Sequence, residues 1–423
     1  MNHKSIRSWL MYDWANSAFA TTMLAAVMPI YYKSVAGKGL EGNMAENYWG
    51  YTQSVGMLLV AVLSPVLGAI ADASGSKVKF LAVFAFMGAL ASSGMALAGE
   101  GAWLLASILV ILGTLGFSGG NTFYDGLLTD IARPEERSAI SSRGYAIGYL
   151  GGGVLLAVNV AMIMGHGMFG LPDETTGMRA AFLTVGLWWL LFSIPLFRNV
   201  KERPRPRVQG GIGTHVRTGF SRIAHTFKTA RRYPELLKYM VAYWFFNDGI
   251  NTIITMATIY GAGIGIGTSH LIIALLITQF VGYPCTLLFI PIARRIGDKR
   301  ALYLSLSIYL VIVVLGYFMT SALHFYILAF MVGLVQGGSQ AISRSLYANL
   351  TPPSRSAEFF GFLSLSSKFS SVAGPLIFAV VGTITGSSRI AIVSVAAFFI
   401  IGMLLLRFVD LEKGAREALA GEA

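Results

Sequence analysis

The sequence predicts an all-α membrane protein with twelve transmembrane helices in two pseudo-symmetric six-helix halves. Of its 423 residues, 55% are hydrophobic and only 12% are charged, about half the charge that a soluble protein of this length needs on its surface. Twelve apolar runs reach the roughly 20 residues that a helix needs to cross a bilayer. A segment near residue 120 also recurs 218 residues later, close to half the chain length.

The repeated segment covers 21 residues without a gap and contains seven identities. Those of the first copy are Gly119, Gly120, Leu128, Pro134, Arg137, Ser138 and Ala139, and those of the second are Gly337, Gly338, Leu346, Pro352, Arg355, Ser356 and Ala357. Composition alone would give roughly one or two identities. Duplication of an ancestral unit is the simplest cause, and internal repeats of this kind are found in many membrane transporters.

The apolar runs define the twelve predicted helices. Their approximate spans are 9–33, 48–71, 78–98, 102–131, 138–165 and 178–197, followed by 238–262, 269–293, 300–320, 324–349, 357–384 and 388–408. We therefore predict an N-terminal six-helix half over residues 1–197, a linker over 198–237 and a C-terminal six-helix half over 238–423.

The first run is predicted to be a retained helix, because Trp9, Asp13 and Asn16 interrupt it where a signal peptide would be purely apolar. Basic residues set the orientation, since loops rich in Lys and Arg stay on the cytoplasmic side. With both termini cytoplasmic, 28 of the 32 basic residues lie on the inner side, and four lie on the outer side: Lys33, Lys38, Arg179 and Arg389. Topology thus accounts for the net charge of +12 without a nucleic-acid partner, and we expect a bacterial plasma membrane protein.

The linker has two parts. Residues 201–207 are charged and interrupted by prolines, so they cannot form a helix. Residues 212–233 place apolar side chains at three- or four-residue intervals among basic ones, which is typical of an amphipathic helix on the anionic inner leaflet. The alternative is a mobile, solvated tether whose periodicity is accidental.

The connection between the second and third helices carries Gly68, Asp72, Gly75 and Lys77 at the spacing Gly-x-x-x-Asp-x-x-Gly-x-basic. This resembles the loop signature of the major facilitator superfamily, and with twelve helices and a basic central linker it implies the major facilitator fold. The small residues allow close packing, Asp72 can accept hydrogen bonds from a neighbouring helix terminus, and the lysines are expected to anchor at headgroups. We interpret this segment as a gating loop. Ala73 departs from the signature, which usually has a basic residue there.

The first helix contains Tyr-Asp-Trp-Ala-Asn-Ser-Ala-Phe at residues 12–19. This octet is similar to the first-helix signature of the bacterial branch of major facilitators related to the autophagy-linked vacuolar amino-acid effluxers of fungi. The resemblance implies secondary active transport, with efflux of amino acids or related small metabolites as the favoured activity. It leaves the substrate of this chain open.

Polar side chains within apolar spans are the candidates for substrate binding, because such groups are costly at membrane depth unless they face a cavity or a partner. They concentrate on the first, fourth, seventh and tenth helices, whereas the third, sixth, ninth and twelfth are almost purely apolar. The predicted substrate-binding residues are Asn16, Asn121, Tyr124, Asn247, Asp248, Asn251, Gln336 and Gln340. Amides can hold a zwitterion, and Asp248 can pair with an ammonium. Each amide could equally join helices without touching substrate.

Charged residues within the spans are the candidates for coupling. They are three acids, Asp13, Asp125 and Asp248, and three bases, Arg143, Arg344 and Lys368. Mutual pairing is expected, since an unpaired charge there is strongly destabilised. A carboxylate that exchanges a basic partner for a proton would couple transport to protons, and Asp13 and Asp125 are the favoured candidates. Permanent structural ion pairs are the alternative for Arg143 and Arg344.

The repeated Pro-x-x-Arg-Ser-Ala lies where the fourth helix gives way to the fifth and where the tenth gives way to the eleventh. We interpret both copies as structural hinges, with Arg137 and Arg355 capping carbonyls or contacting lipid phosphate. No ATP-binding loop, catalytic Ser/His/Asp arrangement or metal-ligand spacing is found, so no enzyme activity, cofactor or metal is expected.

The expected protein is a monomer that uses alternating access, with a small solute, anionic lipids and protons as its partners. A non-transporting membrane sensor or assembly factor on the same scaffold is the alternative.

Overall fold

The computed structural model describes residues 3–41, 44–202, 232–263, 265–370 and 373–420, and every regular element within them is helical. Nine helices in those residues are long and apolar enough to cross a membrane. Most of the predicted amphipathic helix of the linker, residues 212–231, lies outside the described residues.

The helices of the N-terminal half coincide with the first six predicted spans. They are α1 His3–Ala18, α2 Met28–Tyr31, α3 Met44–Ser74, α4 Lys77–Gly94, α5 Trp103–Thr114, α6 Gly120–Ile131, α7 Pro134–Met164 and α8 Glu174–Asn199. The first predicted span takes in α1 and α2, and the fourth takes in α5 and α6. Proline occupies the first turn of α7, where a missing N–H costs nothing.

The helices of the C-terminal half coincide with the last six predicted spans. They are α9 Pro234–Gly263, α10 Thr268–Ile296, α11 Asp298–Tyr317, α12 Ala322–Leu350, α13 Ser356–Ser370, α14 Ala373–Thr385, α15 Ser388–Ser394 and α16 Ala396–Arg407, followed by α17 Leu411–Ala420. The sequence did not predict α17. Its Gly414 lies close to Leu350 and Glu235, so the helix is held against the ends of α12 and α9.

Wide π-helical turns interrupt the first and fourth spans. Segments Phe19–Val27 and Tyr32–Ala36 continue α1 around α2, and segment Leu115–Gly119 joins α5 to α6. Such turns often occur at functional sites. The first follows Asn16 closely, and the last ends just before Asn121.

The helix connections divide between two ends of the bundle. We call the end that holds His3 and the connections at 74–77, 131–134, 296–298 and 350–356 the terminal face, and the opposite end the distal face. Large exposed apolar side chains cover α4, α8, α11 and α16, for example Val83, Leu187, Val311 and Leu404. These are the third and sixth helices of each half, as their apolar sequences predicted.

Candidate functional site

Arg344, on α12 of the C-terminal half, enters a pocket of the N-terminal half. Its Nη1 lies 3.1 Å from Asp125 Oδ1, and its Nη2 lies 3.5 Å from Asp13 Oδ2. Its Nε donates to Ser141 Oγ at 2.8 Å, and its Nη2 donates to the carbonyl oxygen of Ser141 at 3.0 Å. Only 5% of Arg344 is exposed, so its guanidinium is shielded from water, whereas the side chain of Asp125 is 24% exposed. One side chain therefore joins α12 to α1, α6 and α7.

Aromatic rings surround the same guanidinium. Its central carbon lies 4.9 Å from the ring centre of Trp9, 5.6 Å from that of Tyr124 and 4.2 Å from that of Tyr145. Cations are attracted to aromatic faces at such distances. Tyr124 also donates its hydroxyl to Asp13 Oδ2 at 2.7 Å. The rings thus hold Arg344 in place and one of them orients its carboxylate partner.

Close packing at this cluster depends on Gly144 of α7. A Cβ atom there would overlap Asp13 Oδ2 and lie 3.0 Å from Arg344 Nη2. Van der Waals contact requires more room than this, so α7 can approach the ion pairs only with glycine at this position.

A second buried network centres on Lys77, at the start of α4. Its Nζ lies 2.9 Å from Asp130 Oδ2 and 3.2 Å from Asp72 Oδ1, and it donates to Ser356 Oγ at 2.5 Å. Asp72 Oδ2 accepts the backbone N–H of Glu358 at 2.8 Å. Asp72 therefore contacts the first turn of α13, the kind of helix terminus that the sequence suggested for it.

Near the Lys77 network, the backbones of α3 and α6 approach the backbone of α13 as closely as α7 approaches the Arg344 cluster. A Cβ atom on Gly68 would overlap the carbonyl oxygen of Ala357, and one on Gly126 would lie 3.1 Å from the Cα of the same residue. Gly75 adopts a φ of 59° in the turn between α3 and α4, a conformation that side chains disfavour. Gly68 of the loop signature and Gly126 of α6 thus allow the two halves to meet at α13.

The two copies of the repeated segment make different contacts. Arg137 Nη1 crosses between the halves and donates to the carbonyl oxygen of Ala348 at 2.7 Å and to Asn349 Oδ1 at 3.1 Å. Ser138 Oγ donates to Asp298 Oδ1 at 2.8 Å, again between the halves. Arg355 instead pairs with Glu358 within its own half, at 2.7 Å. Carbonyl capping was one of the two roles predicted for both arginines, and Arg137 caps the carbonyl of Ala348.

Two expectations about charged residues were wrong. Lys77 does not anchor at headgroups: it is fully buried and ion-paired, because Asp72 and Asp130 compensate its charge. Arg143 was expected to pair with an acid within the membrane, but its side chain is exposed, and it has no ion pair with any described acidic residue. It lies one position before Gly144, on the side of α7 away from the Arg344 cluster. The Lys368 side chain lies outside the described residues, although its backbone belongs to α13.

The predicted substrate-binding residues fall into separate groups. Asn16 donates its Nδ2 to Asn121 Oδ1 at 2.8 Å, while Gln340 Oε1 accepts the hydroxyl of Tyr149 at 2.9 Å across the halves. The two residues that are most deeply enclosed are Tyr124, within the Arg344 cluster, and Asp248, each 1% exposed. Neither carboxylate oxygen of Asp248 has a hydrogen-bond partner among the described residues.

A cavity of about 250 Å³ lies between the first span and the C-terminal half. Ala20, Thr21 and Ala25 of the first π segment form one wall, and α9, α10, α11 and α12 supply most of the rest. Its lining is largely aliphatic and includes no charged residue. Of the eight predicted substrate-binding residues, Gln336 lines this cavity, and Gln279 and Thr278 of α10 lie there with it.

The chain is similar to known proteins over almost its whole length. The model of the family described as "Vacuole effluxer Atg22 like" matches residues 1–419. The chain belongs to this family.

Relatives of the Atg22-like chain occur in bacteria and fungi. An uncharacterized MFS-type transporter of Bacillus subtilis, YxiO, is 38% identical over 411 residues, which are 97% of this chain and 95% of that protein. Autophagy-related protein 22 of Yarrowia lipolytica is 27% identical over 68% of this chain and 54% of its own length. The chain thus spans about half of that fungal relative.

The fold of the Atg22-like chain is that of the major facilitator superfamily. The solved structure of the proton:xylose symporter XylE superposes with a TM-score of 0.73 over 99% of this chain and 98% of that one, at 15% identity. Together with the family match, this makes the protein a multi-pass membrane transporter of the superfamily and not an enzyme.

Sequence reasoning missed several residues of the Atg22-like site. Thr21 and Gln279 are polar residues within apolar spans, the same signal that led to Asn16 and Gln336, and that signal could have found them. The role of Trp9 and Tyr145 in holding Arg344 had no such signal, because aromatic residues are common in any membrane helix. Their positions around a cation follow from the tertiary packing of α1, α7 and α12.

Proposed function

We propose that this protein is a secondary active transporter that exports a small solute, an amino acid or a related metabolite, by alternating access with proton coupling. The observation that carries the proposal is the concentration of inter-half ion pairs and hydrogen bonds at the terminal face. There the Arg344 cluster, the Lys77 network and the Arg137 contacts all join the N-terminal half to the C-terminal half.

The distal ends of the helices are arranged differently. Helix α14, the distal part of the eleventh span, packs chiefly against α9 and α15 of its own half, whereas α13 packs against α3 and α6 of the other half. Close contact at one face and separation at the other is the geometry of one end state in a rocking cycle. With the termini in the cytoplasm, as the basic residues predict, this is the state closed to the cytoplasm.

Two features support export of an amino acid or similar metabolite. The chain belongs to the family of Atg22-like vacuole effluxers, and the octet at residues 12–19 resembles that of amino-acid effluxers. The cavity provides aliphatic walls with the amides of Gln279 and Gln336, a combination that suits a solute with both apolar and polar parts.

Proton coupling is supported by the charge balance at Arg344. Two carboxylates, Asp13 and Asp125, share one guanidinium, so the cluster carries one excess negative charge when both are ionised. Burial of that excess is unfavourable, and one proton would neutralise it. Loss or gain of this proton would change the attraction between Arg344 and the N-terminal half, which links protonation to opening of the terminal face. The structurally similar XylE is described as a proton symporter.

Flux into reconstituted vesicles tests the transport proposal. Radiolabelled amino acids and related metabolites are offered to vesicles with and without the protein. Gln279→Ala and Gln336→Ala, in the cavity, are expected to reduce flux, while Ser54→Ala on the exposed side of α3 serves as the matched control. Flux that both site variants leave unchanged would reject the site assignment. Absence of flux for every solute would favour the sensor alternative.

Coupling is tested in the same vesicles with an imposed pH gradient. In the parent protein the gradient is expected to increase flux, and in Asp13→Asn and Asp125→Asn that response is expected to disappear. Asp173→Asn, at an exposed helix start on the distal face, is the control that keeps the response. Equal flux of the parent protein with and without the gradient would refute proton coupling.

A further inference from the structure

A groove of about 790 Å³ runs along the lipid-facing surface between α11 and α16, starting at the terminal face. Lys299 and Arg300, at the beginning of α11, and Arg407, at the end of α16, line its mouth. Deeper in the bilayer its walls are apolar, with Leu310 and Leu404 among them. The groove therefore changes from basic to apolar along its length.

The basic residues at the mouth are not all engaged in holding the fold. Lys299 Nζ donates to the carbonyl oxygens of Arg407 and Val409, at 3.2 and 2.7 Å, and so caps the end of α16. The guanidinium groups of Arg300 and Arg407 are exposed and have no ion-pair or hydrogen-bond partner within the described parts of the chain. The nearby carboxylate of Asp410 accepts the backbone N–H of Lys413 and so caps the start of α17.

The groove has the dimensions of one leaflet. Ten residues separate Arg300 from Leu310, which is about 15 Å along a helix, and half of a hydrocarbon core of about 30 Å has the same depth. Its charged mouth thus lies at headgroup level while its apolar walls lie among acyl chains. Tyr303, which also lines it, donates its hydroxyl to the carbonyl oxygen of Met403 and bridges the two helices at the floor.

The corresponding helices of the N-terminal half, α4 and α8, are in close contact. A Cβ atom on Gly88 would overlap the ring of Trp189, and one on Gly186 would overlap Ser93 Oγ. Small residues let these two helices approach closely. In the C-terminal half, Lys299 and Tyr303 bridge the equivalent pair through backbone carbonyl oxygens, and the groove lies along this bridged pair.

We propose that the groove between α11 and α16 binds one anionic phospholipid, with its phosphate between Arg300 and Arg407 and an acyl chain against Leu310 and Leu404. Basic pockets between membrane helices at the cytoplasmic side are suited to anionic headgroups. The proposal does not depend on which solute is transported, or on whether transport occurs.

Lipid binding to the purified full-length protein in detergent tests this directly. Phosphatidylglycerol and phosphatidylcholine are titrated separately, and bound lipid is counted by native mass spectrometry alongside thermal unfolding. We expect tighter binding of phosphatidylglycerol, and about fivefold weaker binding for each arginine removed in Arg300→Ala/Arg407→Ala, as expected for a loss of about 1 kcal/mol per basic residue. Leu404→Trp, which fills the apolar part and keeps both charges, is expected to weaken binding as well.

The control is Lys79→Ala/Arg198→Ala, which removes two exposed basic residues from the matching positions of α4 and α8 and is expected to leave binding unchanged. Arg300→Lys/Arg407→Lys is expected to retain the preference for phosphatidylglycerol and shows whether the positions tolerate substitution. The proposal is overturned if the alanine pair in the groove keeps that preference, if the control pair loses it equally, or if soluble glycerol phosphate binds as tightly as the lipid.

Discussion

Replacement of Arg344 by Gln should open the terminal face. The change removes the only described cation within 4 Å of Asp13 and Asp125. It leaves the buried carboxylate of Asp13 and the partly buried carboxylate of Asp125 without compensation. Loss of one partner of a buried ion pair costs about 3–5 kcal/mol. That energy is lost mainly in the closed state, because the pair joins the two halves there, and about 3 kcal/mol alters the ratio of two conformations by about 100-fold.

Pulsed electron paramagnetic resonance can measure this shift. In a Cys285→Ser background, spin labels on cysteines that replace Glu135 and Arg295 report the distance across the terminal face, since both positions are exposed and belong to different halves. The parent protein is expected to give one short distance, and Arg344→Gln is expected to add a longer population. Arg344→Lys, which keeps the charge but loses the paired geometry, should fall between them. A folded Arg344→Gln protein with the parent distance distribution would refute the assignment of Arg344 as a gate residue.

Further predictions concern single contacts. Lys77→Met leaves Asp72 and Asp130 without their buried lysine and should lower the free energy of unfolding by about 3–5 kcal/mol, seen as a large drop in the unfolding temperature. Lys79→Met, on the exposed side of α4, should change the unfolding temperature little. Equal effects of the two changes would contradict the network. Gly144→Ala should shift the spin-label distances towards the open state, at a cost of about 1–3 kcal/mol for overpacking, while Gly50→Ala, where a Cβ atom meets nothing within 4 Å, should not. Asp173 accepts the backbone N–H of Thr176 at 2.6 Å, and this bond holds the pKa of the carboxyl below its usual value. Its stabilising contribution is therefore present above the unfolded pKa of 3.8 and is lost as the pH falls through the lower folded pKa. Between about pH 5 and about pH 3, a range that brackets the ordinary pKa of Asp, the Asp173→Ala protein should lose less thermal stability than the parent. Identical pH profiles of the two proteins would contradict the capping role.

Much of the architecture followed from the sequence because the bilayer allows few solutions. A span must satisfy its backbone hydrogen bonds internally, so apolar runs of about 20 residues become helices. That Arg344 pairs with acidic residues was also predictable, since charges within a membrane need partners, but the sequence did not assign Asp13 and Asp125 as those partners.

Tertiary packing decided the features that the sequence did not reveal. The position of Lys77 at a helix start predicted a headgroup anchor, but in the structure Asp72 of α3 and Asp130 of α6 pair with it in the interior. Arg143 and Gly144 are neighbours in sequence, but only the glycine faces the ion pairs, because helix rotation places successive residues about 100° apart. The pairing of Asn16 with Asn121 likewise depends on how α1 and α6 meet.

The π-helical turns give the first and fourth spans a property that straight helices lack. Each wide turn accommodates one residue more than an α-helical turn, so relaxation of Phe19–Val27 or Leu115–Gly119 to α geometry would rotate the helix beyond it by about 100°. Ala20, Thr21 and Ala25 lie within the first of these segments and line the cavity. A register change there would replace part of the cavity wall while the helix kept its backbone hydrogen bonds and still crossed the bilayer.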